Sequence, residues 1–238
     1  MKSVLISIQP KWCELIARGK KTVEVRKTRT KVKGPFKCYI YCTQGKDVLA
    51  ISQYDDKSAF LWKKSDVDRY NADMVRNGKV IGEFVCQAIL NYECEFVDDD
   101  CYEEIASVTL DEDDGTEYGF IEWSNDGDVL YEDTFFYKTS HVGYEELKKY
   151  MGVGFGKFYG WHISDLVIYE HPKELSEFFI YCGDNPKCDG CEAHYYSNTE
   201  CGKEEYCCSV VDGCRPLKRP PQSWCYVDHP TEKGGVQE

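Results

Sequence analysis

The polar and apolar positions change period several times along the chain. In residues 2–9, Val4, Ile6 and Ile8 alternate with Ser3, Ser7 and Gln9, a period of two that predicts a strand with one buried face. From Pro10 the period is helical. Trp12, Leu15 and Ile16 fall at i, i+3 and i+4, Pro10 suits the first helical position, and Gly19 can take the positive φ that ends a helix. From Thr22 the period returns to two: Val23 and Val25 face a core, Thr22, Glu24 and Arg26 face the other way, and Lys21 stands at the mouth of the strand.

Further strands are expected over residues 36–43, after the Gly34-Pro35 turn, and over 80–91, with Gly82 marking a bulge or bend. Residues 44–78 are polar, with helices expected over 58–64 and 65–76, the second closed by Asn77-Gly78. Tyr144, Leu147 and Tyr150 predict a helix, residues 158–170 a strand, 172–179 a short helix and 223–227 a last strand. In the strand over 158–170, Gly160, His162 and Ser164 face opposite to Tyr159, Trp161 and Ile163. Residues 93–134 read as an acidic insertion of one or two hairpins, in which the aromatic residues Trp123, Tyr131 and Phe135 to Tyr137 still pack.

The junction between the first helix and the second strand carries candidate chemistry. A carboxylate and a guanidinium two residues apart on one strand face lie about 7 Å apart, close enough to share a ligand or to pair. Lys21, Glu24 and Arg26 alone also fit a solvated face of exposed ion pairs. The spacing adds more. Gly19, Lys21, Glu24 and Arg26 form Gly-x-Lys-x-x-Glu-x-Arg, which resembles the signature of the ASCH domain family, a branch of the PUA-like β-barrels. Supporting stretches follow in the family's order: Val4 to Pro10, Cys38 to Thr43, Val80 to Phe84 and Tyr159 to Ser164. The resemblance covers about residues 1–170, with interruptions.

It implies an α+β fold, a small PUA-like β-barrel with flanking helices over residues 1–180, followed by a Cys-rich extension over 181–238. It further implies a cleft for RNA or a modified nucleoside. There Lys21 and Arg26 meet phosphate or ligand oxygens, Glu24 accepts from a base edge with Thr22 beside it, and Trp12 or Trp161 offers a stacking face. His162, in the Trp161-His162 pair, matches the family pattern and is a further ligand-binding candidate beside its reading as a buried structural histidine. An enzyme reading stands beside the binding one. The family includes an amidohydrolase that deacetylates N-acetylcytidine through a Lys, a Thr and a Glu. Lys21 matches the Lys and Glu146 the later acid, whereas Glu24 occupies the Thr position, where a carboxylate would have to act as general base on water. Ribonuclease activity, also attributed to the family, would use Lys21, Glu24 and Arg26 around a phosphate.

Charge and cysteine content change the picture in two places. The net charge of −13 argues against nucleic acid. However, residues 1–90 hold 18 Lys and Arg against 9 Asp and Glu, and residues 91–238 hold 11 against 33. The motif therefore lies in a segment of charge +9, and the remaining −22 suits a third option, an acidic protein-interaction or inhibitor module. The acidic run from Asp111 to Gly115 lacks calcium-loop spacing, and Gly152, Gly154 and Gly156 lack the Lys-Ser/Thr that closes a phosphate loop.

Eight of the 14 Cys lie between residues 182 and 225, where few aliphatic residues could order the chain. Cys188-Asp189-Gly190-Cys191 has zinc-knuckle spacing, with Cys207 and Cys214 as partners and Cys201, Cys208 or His194 as substitutes; a structural zinc is expected, and no nucleotide cofactor. No apolar run is long enough to cross a membrane and no apolar block opens the chain, so a cytoplasmic protein without a membrane partner is expected.

Overall fold

A computed structural model describes residues 3–32, 35–52, 58–67, 72–96, 105–109, 134–152, 154–180 and 216–228. Their elements, in chain order, are β1 (Ser3–Ile8), α1 (Pro10–Ala17), β2 (Val23–Arg26), β3 (Phe36–Cys42), β4 (Asp47–Ile51), β5 (Ala59–Lys63), β6 (Val80–Cys86), β7 (Ile89–Phe96), β8 (Ile105–Thr109), α2 (Phe135–Ser140), α3 (Tyr144–Met151), β9 (Gly154–His162), β10 (Ser164–Lys173), β11 (Phe179–Ile180) and β12 (Trp224–Asp228). The strands form a six-stranded sheet in the order β10-β6-β3-β1-β12-β11, a four-stranded sheet β2-β9-β7-β8 and the pair β4-β5. The fold is mixed and sheet-rich with few helices. The expected closed barrel is not seen among the described residues, because the end strands β10 and β11 are not hydrogen-bonded to each other.

The chain divides into two compact units. The first comprises Met1–Cys13, Lys37–Glu83 and Val167–Glu238. At its centre β1 runs parallel to β3, with Ile6 opposite Ile40, and antiparallel to β12, with Leu5 opposite Cys225. Leu5, Tyr39, Tyr41, Val80, Phe178, Leu217 and Val227 are buried together, and the Tyr39 and Phe178 rings meet edge to face at 4.9 Å. A Cβ on Gly82 would lie 2.3 Å from the Val167 carbonyl oxygen, so this glycine permits a close backbone approach.

Helices expected over 58–64 and 65–76 are replaced by β5 and by two short 3-10 turns, Lys64–Asp66 and Ala72–Met74. Pairing with β4, whose Val48 to Ile51 are buried, overrides the local helical pattern. Arg76 is buried, and its guanidinium donates to the carbonyl oxygens of Asp73 (2.7 Å) and Ile51 (3.4 Å), which braces this hairpin. The helix expected over 172–179 is likewise absent. Pro172 and Lys173 continue β10, and one 3-10 turn, Leu175–Glu177, leads into β11.

The second unit comprises Glu14–Phe36 and Phe84–Leu166. Its sheet is built on β9, which pairs antiparallel with β2 and β7; Glu24 lies opposite Trp161 and Leu90 opposite Gly160. Tyr92 stacks on Phe158 at 5.0 Å, and Phe136 of α2 meets both rings edge-on. The strand expected over 80–91 is two strands, separated at residues 87 and 88 where the chain leaves one sheet for the other. The strand expected over 158–170 is also two. It breaks at Ile163, whose N–H donates to the Thr22 carbonyl, and Asp165 then takes φ 47°.

Of the acidic stretch 93–134, only residues 93–96, 105–109 and 134 are described, as the ends of β7, β8 and the N-cap of α2.

A methyl group at Gly160 would stand 2.7 Å from Val23 Cγ1 and 2.8 Å from Tyr92 Cε2. Gly160→Ala is therefore expected to destabilise the protein by about 1–3 kcal/mol through overpacking. Urea denaturation followed by circular dichroism checks it, and an unchanged midpoint would contradict the packing described.

Candidate functional site

The turn after α1 places Lys21. Gly19, at φ 68°, donates its N–H to Ile16 O, and the Lys20 N–H donates to Leu15 O. These are the two hydrogen bonds of a Schellman C-cap, with glycine at the left-handed position. The chain then enters β2, where the Thr22 N–H donates to Thr139 O (2.8 Å). On the other side, Thr134 Oγ1 caps α2 by accepting from the Tyr137 N–H, and α2 ends at His141, φ 54°. The Nε2 of His141 lies 3.0 Å from Lys20 O, which ties the end of α2 to the turn after α1.

The ends of these two helices flank a charge cluster. Lys21 Nζ donates to the Ser140 carbonyl oxygen at 2.7 Å and lies 3.4 Å from Glu24 Oε2. Glu24 Oε1 accepts from Arg26 Nη2 at 2.9 Å. The expectation of a solvated strand face is overturned: the side chains of Lys21, Glu24 and Arg26 are 1%, 6% and 8% exposed. The valines face the core as expected, and the polar face of β2 is buried as well.

Burial pushes the Lys21 ammonium below its ordinary pKa of 10.5. The carboxylate of Glu24 opposes that shift, Arg26 adds to it, and Glu146 on α3 opposes it from further away. Two cations thus face two carboxylates, so the cluster approaches neutrality.

The other residues singled out in the sequence are placed unequally. Register puts Trp161 and Tyr159 on the face of Glu24 and Arg26. Trp161 is fully buried, with the Phe36 ring edge-on at 5.6 Å. The stacking role read for Trp161 thus has no exposed ring face to use. His162 pairs with Val23 and so stands on the valine face, away from Glu24; its backbone N–H donates to Ala88 O. Thr22 is half-buried and held through its backbone. Trp12 belongs to the first unit, where the Lys11 ammonium lies 4.2 Å from its ring centroid. Cys188, Cys191, Cys207 and Cys214 lie outside the described residues. Among the described residues no group of His, Cys, Asp and Glu is placed to hold a metal, and no helix is long and apolar enough to cross a membrane.

Sequence reasoning missed the Ser140 carbonyl, His141 and Tyr150. A backbone acceptor leaves no mark in a sequence, and Tyr150 read only as part of a helical stripe. Tyr150 is 40% exposed, and the Arg26 and Glu24 charges both act on its phenol.

The model of the ASCH domain matches residues 6–106, the stretch that contains Gly19, Lys21, Glu24 and Arg26. This stretch is similar to the ASCH domain family. A crystal structure of the ASCH protein from Zymomonas mobilis resembles it at 14% identity and TM-score 0.41, covering 98% of this chain and 92% of that one. A serine-to-alanine mutant of the same Zymomonas mobilis protein gives 15%, 0.40, 95% and 89%. No curated protein matches. Within the site, the Lys, Glu and Arg come from the matched ASCH stretch, whereas Ser140, Glu146 and Tyr150 come from beyond it.

A lysine whose pKa is lower folded than unfolded makes stability rise with pH between the lowered value and 10.5, because the unfolded chain holds the proton more firmly. Lys21 is expected to titrate below the exposed lysines in 13Cε-detected NMR. Glu24→Gln, which removes the opposing carboxylate, is expected to lower its midpoint further. Coincidence of Lys21 with the surface lysines would contradict its burial.

Proposed function

We propose that this ASCH domain recognises a nucleobase, presented by RNA or by a modified nucleoside, through Lys21, Glu24 and Arg26. The observation that carries the reading is the unused acceptor on Glu24. Its Oε2 is buried and takes no hydrogen bond, with Lys21 Nζ only within ion-pair range at 3.4 Å. A buried carboxylate oxygen without a donor is costly, and an amino or imino hydrogen on a base edge supplies one. Arg26 holds the carboxylate in place, with Lys21 within ion-pair range. Lys20, Lys27, Arg29 and Lys31 are exposed in the same stretch of chain, a positive field that attracts phosphate. Burial of the three side chains favours a single splayed base over a stacked strand.

Hydrolysis is the second reading, favoured by the depressed pKa of Lys21. In its unprotonated form the Lys21 amine takes a proton from water attacking an acyl group, with Glu24 or Glu146 as the accompanying acid. Acetate and the free amine are the products expected from an N-acetylated cytidine.

One experiment separates these readings. A labelled mixed-sequence single-stranded RNA is titrated with the protein at two salt concentrations, and cytidine and N-acetylcytidine are titrated by calorimetry, with products analysed afterwards. Recognition predicts saturable binding of intact ligand, and Glu24→Gln is expected to weaken it about ten-fold or more, as for a hydrogen bond to a charged group. Release of acetate, abolished by Lys21→Met, would select hydrolysis. Equal affinity of wild type and Glu24→Gln for every probe would remove Glu24 from the site.

A further inference from the structure

Beside the buried cluster stands an aromatic ring that the motif does not include. Helix α3 carries Glu146 and Tyr150 one turn apart, so both lie on the same helix face. Glu146 acts on the charge of Lys21, and Tyr150 lies within the field of Arg26 and Glu24. Tyr150 is the more accessible of the groups there, at 40% exposed, whereas Trp161 on the strand face is 0%. The ammonium of Lys27, the residue after β2, lies 5.0 Å from the Tyr150 ring centroid. An exposed cation thus lies over its face.

We propose that Tyr150 is the stacking platform of this site and Lys27 its phosphate anchor, so that the ligand is a nucleoside 5′-monophosphate unit, free or within RNA. The inference rests on the recognition reading above. A base lying against the Tyr150 ring directs its polar edge toward Glu24, while the sugar-phosphate stays outside with Lys27. The ammonium leaves the ring to meet the phosphate, an exchange of a cation–π contact for a charge-assisted hydrogen bond. Stacking tolerates any base, because each has a π-face, and leaves selection to Glu24. Tyr150 is a binding residue, with no part in proton transfer.

The probes are cytidine, cytidine 5′-monophosphate and a five-nucleotide single-stranded RNA, each titrated by calorimetry against wild type, Tyr150→Phe, Tyr150→Leu, Lys27→Ala and Glu24→Gln. Tyr150→Phe keeps the ring and is expected to bind within about two-fold of wild type, whereas Tyr150→Leu loses about ten-fold or more on every probe. Lys27→Ala is expected to erase the advantage of the monophosphate over cytidine. Preference for the oligonucleotide over the monophosphate identifies RNA as the source of the unit, and the reverse a free nucleotide.

Tyr150→Leu binding like wild type, while Glu24→Gln is impaired, overturns the platform and leaves the recognition reading standing. Equal loss in Tyr150→Phe and Tyr150→Leu would also overturn it, since the hydroxyl and not the ring would then matter. Absence of binding by wild type to all three probes overturns both readings. Unchanged circular dichroism of each variant shows that loss of binding is not loss of fold.

Discussion

Three ionisable side chains within six residues, each less than a tenth exposed, set a problem that the rest of the second unit answers. Moving a charge out of water costs several kcal/mol even after relaxation, and the cost is recovered only with close partners in good geometry. Glu24 partners Arg26 directly, but Lys21 needs an acceptor that the strand cannot supply. The Ser140 carbonyl supplies it, which requires α2 to stop there. His141 accordingly takes a left-handed conformation, and its ring is tied back to Lys20. The Schellman turn at Gly19, the Thr134 cap and the Ile163 break all serve one arrangement: two helix ends held so that an ammonium and a carbonyl meet.

The same arrangement limits what the site can do. A carboxylate pinned by an arginine on one oxygen presents the other in a fixed direction, which suits reading a donor on a flat ligand. A lysine made less basic by burial suits proton transfer. The cluster is consistent with both, and they share a ligand of the same chemistry. Under the reading we propose, selectivity rests with Glu24, attraction with the exposed cations around it, and any reaction with the balance between Lys21 and its two carboxylate neighbours.

Much of this was readable in the chain. Val4, Ile6 and Ile8 gave β1 by alternation, Pro10 and Gly19 bounded α1 at both ends, and the spacing of Gly19, Lys21, Glu24 and Arg26 carried the ASCH resemblance that the family model supports. Failures came where tertiary pairing outweighed local pattern. Ala59 to Lys63 and Pro172-Lys173 became strand because β4 and the six-stranded sheet offered a ladder. The break at Ile163 depends on a hydrogen bond to Thr22, about 140 residues away in sequence, which no local window contains. Burial of Glu24 and Arg26 was illegible for a related reason. Period two marks which residues share a face, but not whether a second layer covers that face.

One of the two hydrogen-bonding edges of β1 is filled by β12, with Ser3 opposite Val227, so the ribosome makes these partners far apart in time. Until β12 emerges, that edge presents open backbone groups along Val4, Leu5 and Ile6, the kind of apolar template that pairs with whatever strand arrives first. Completion of the six-stranded sheet therefore waits on synthesis of everything between them. Such long-range closure slows folding and leaves an unpaired strand edge on the nascent chain in the meantime.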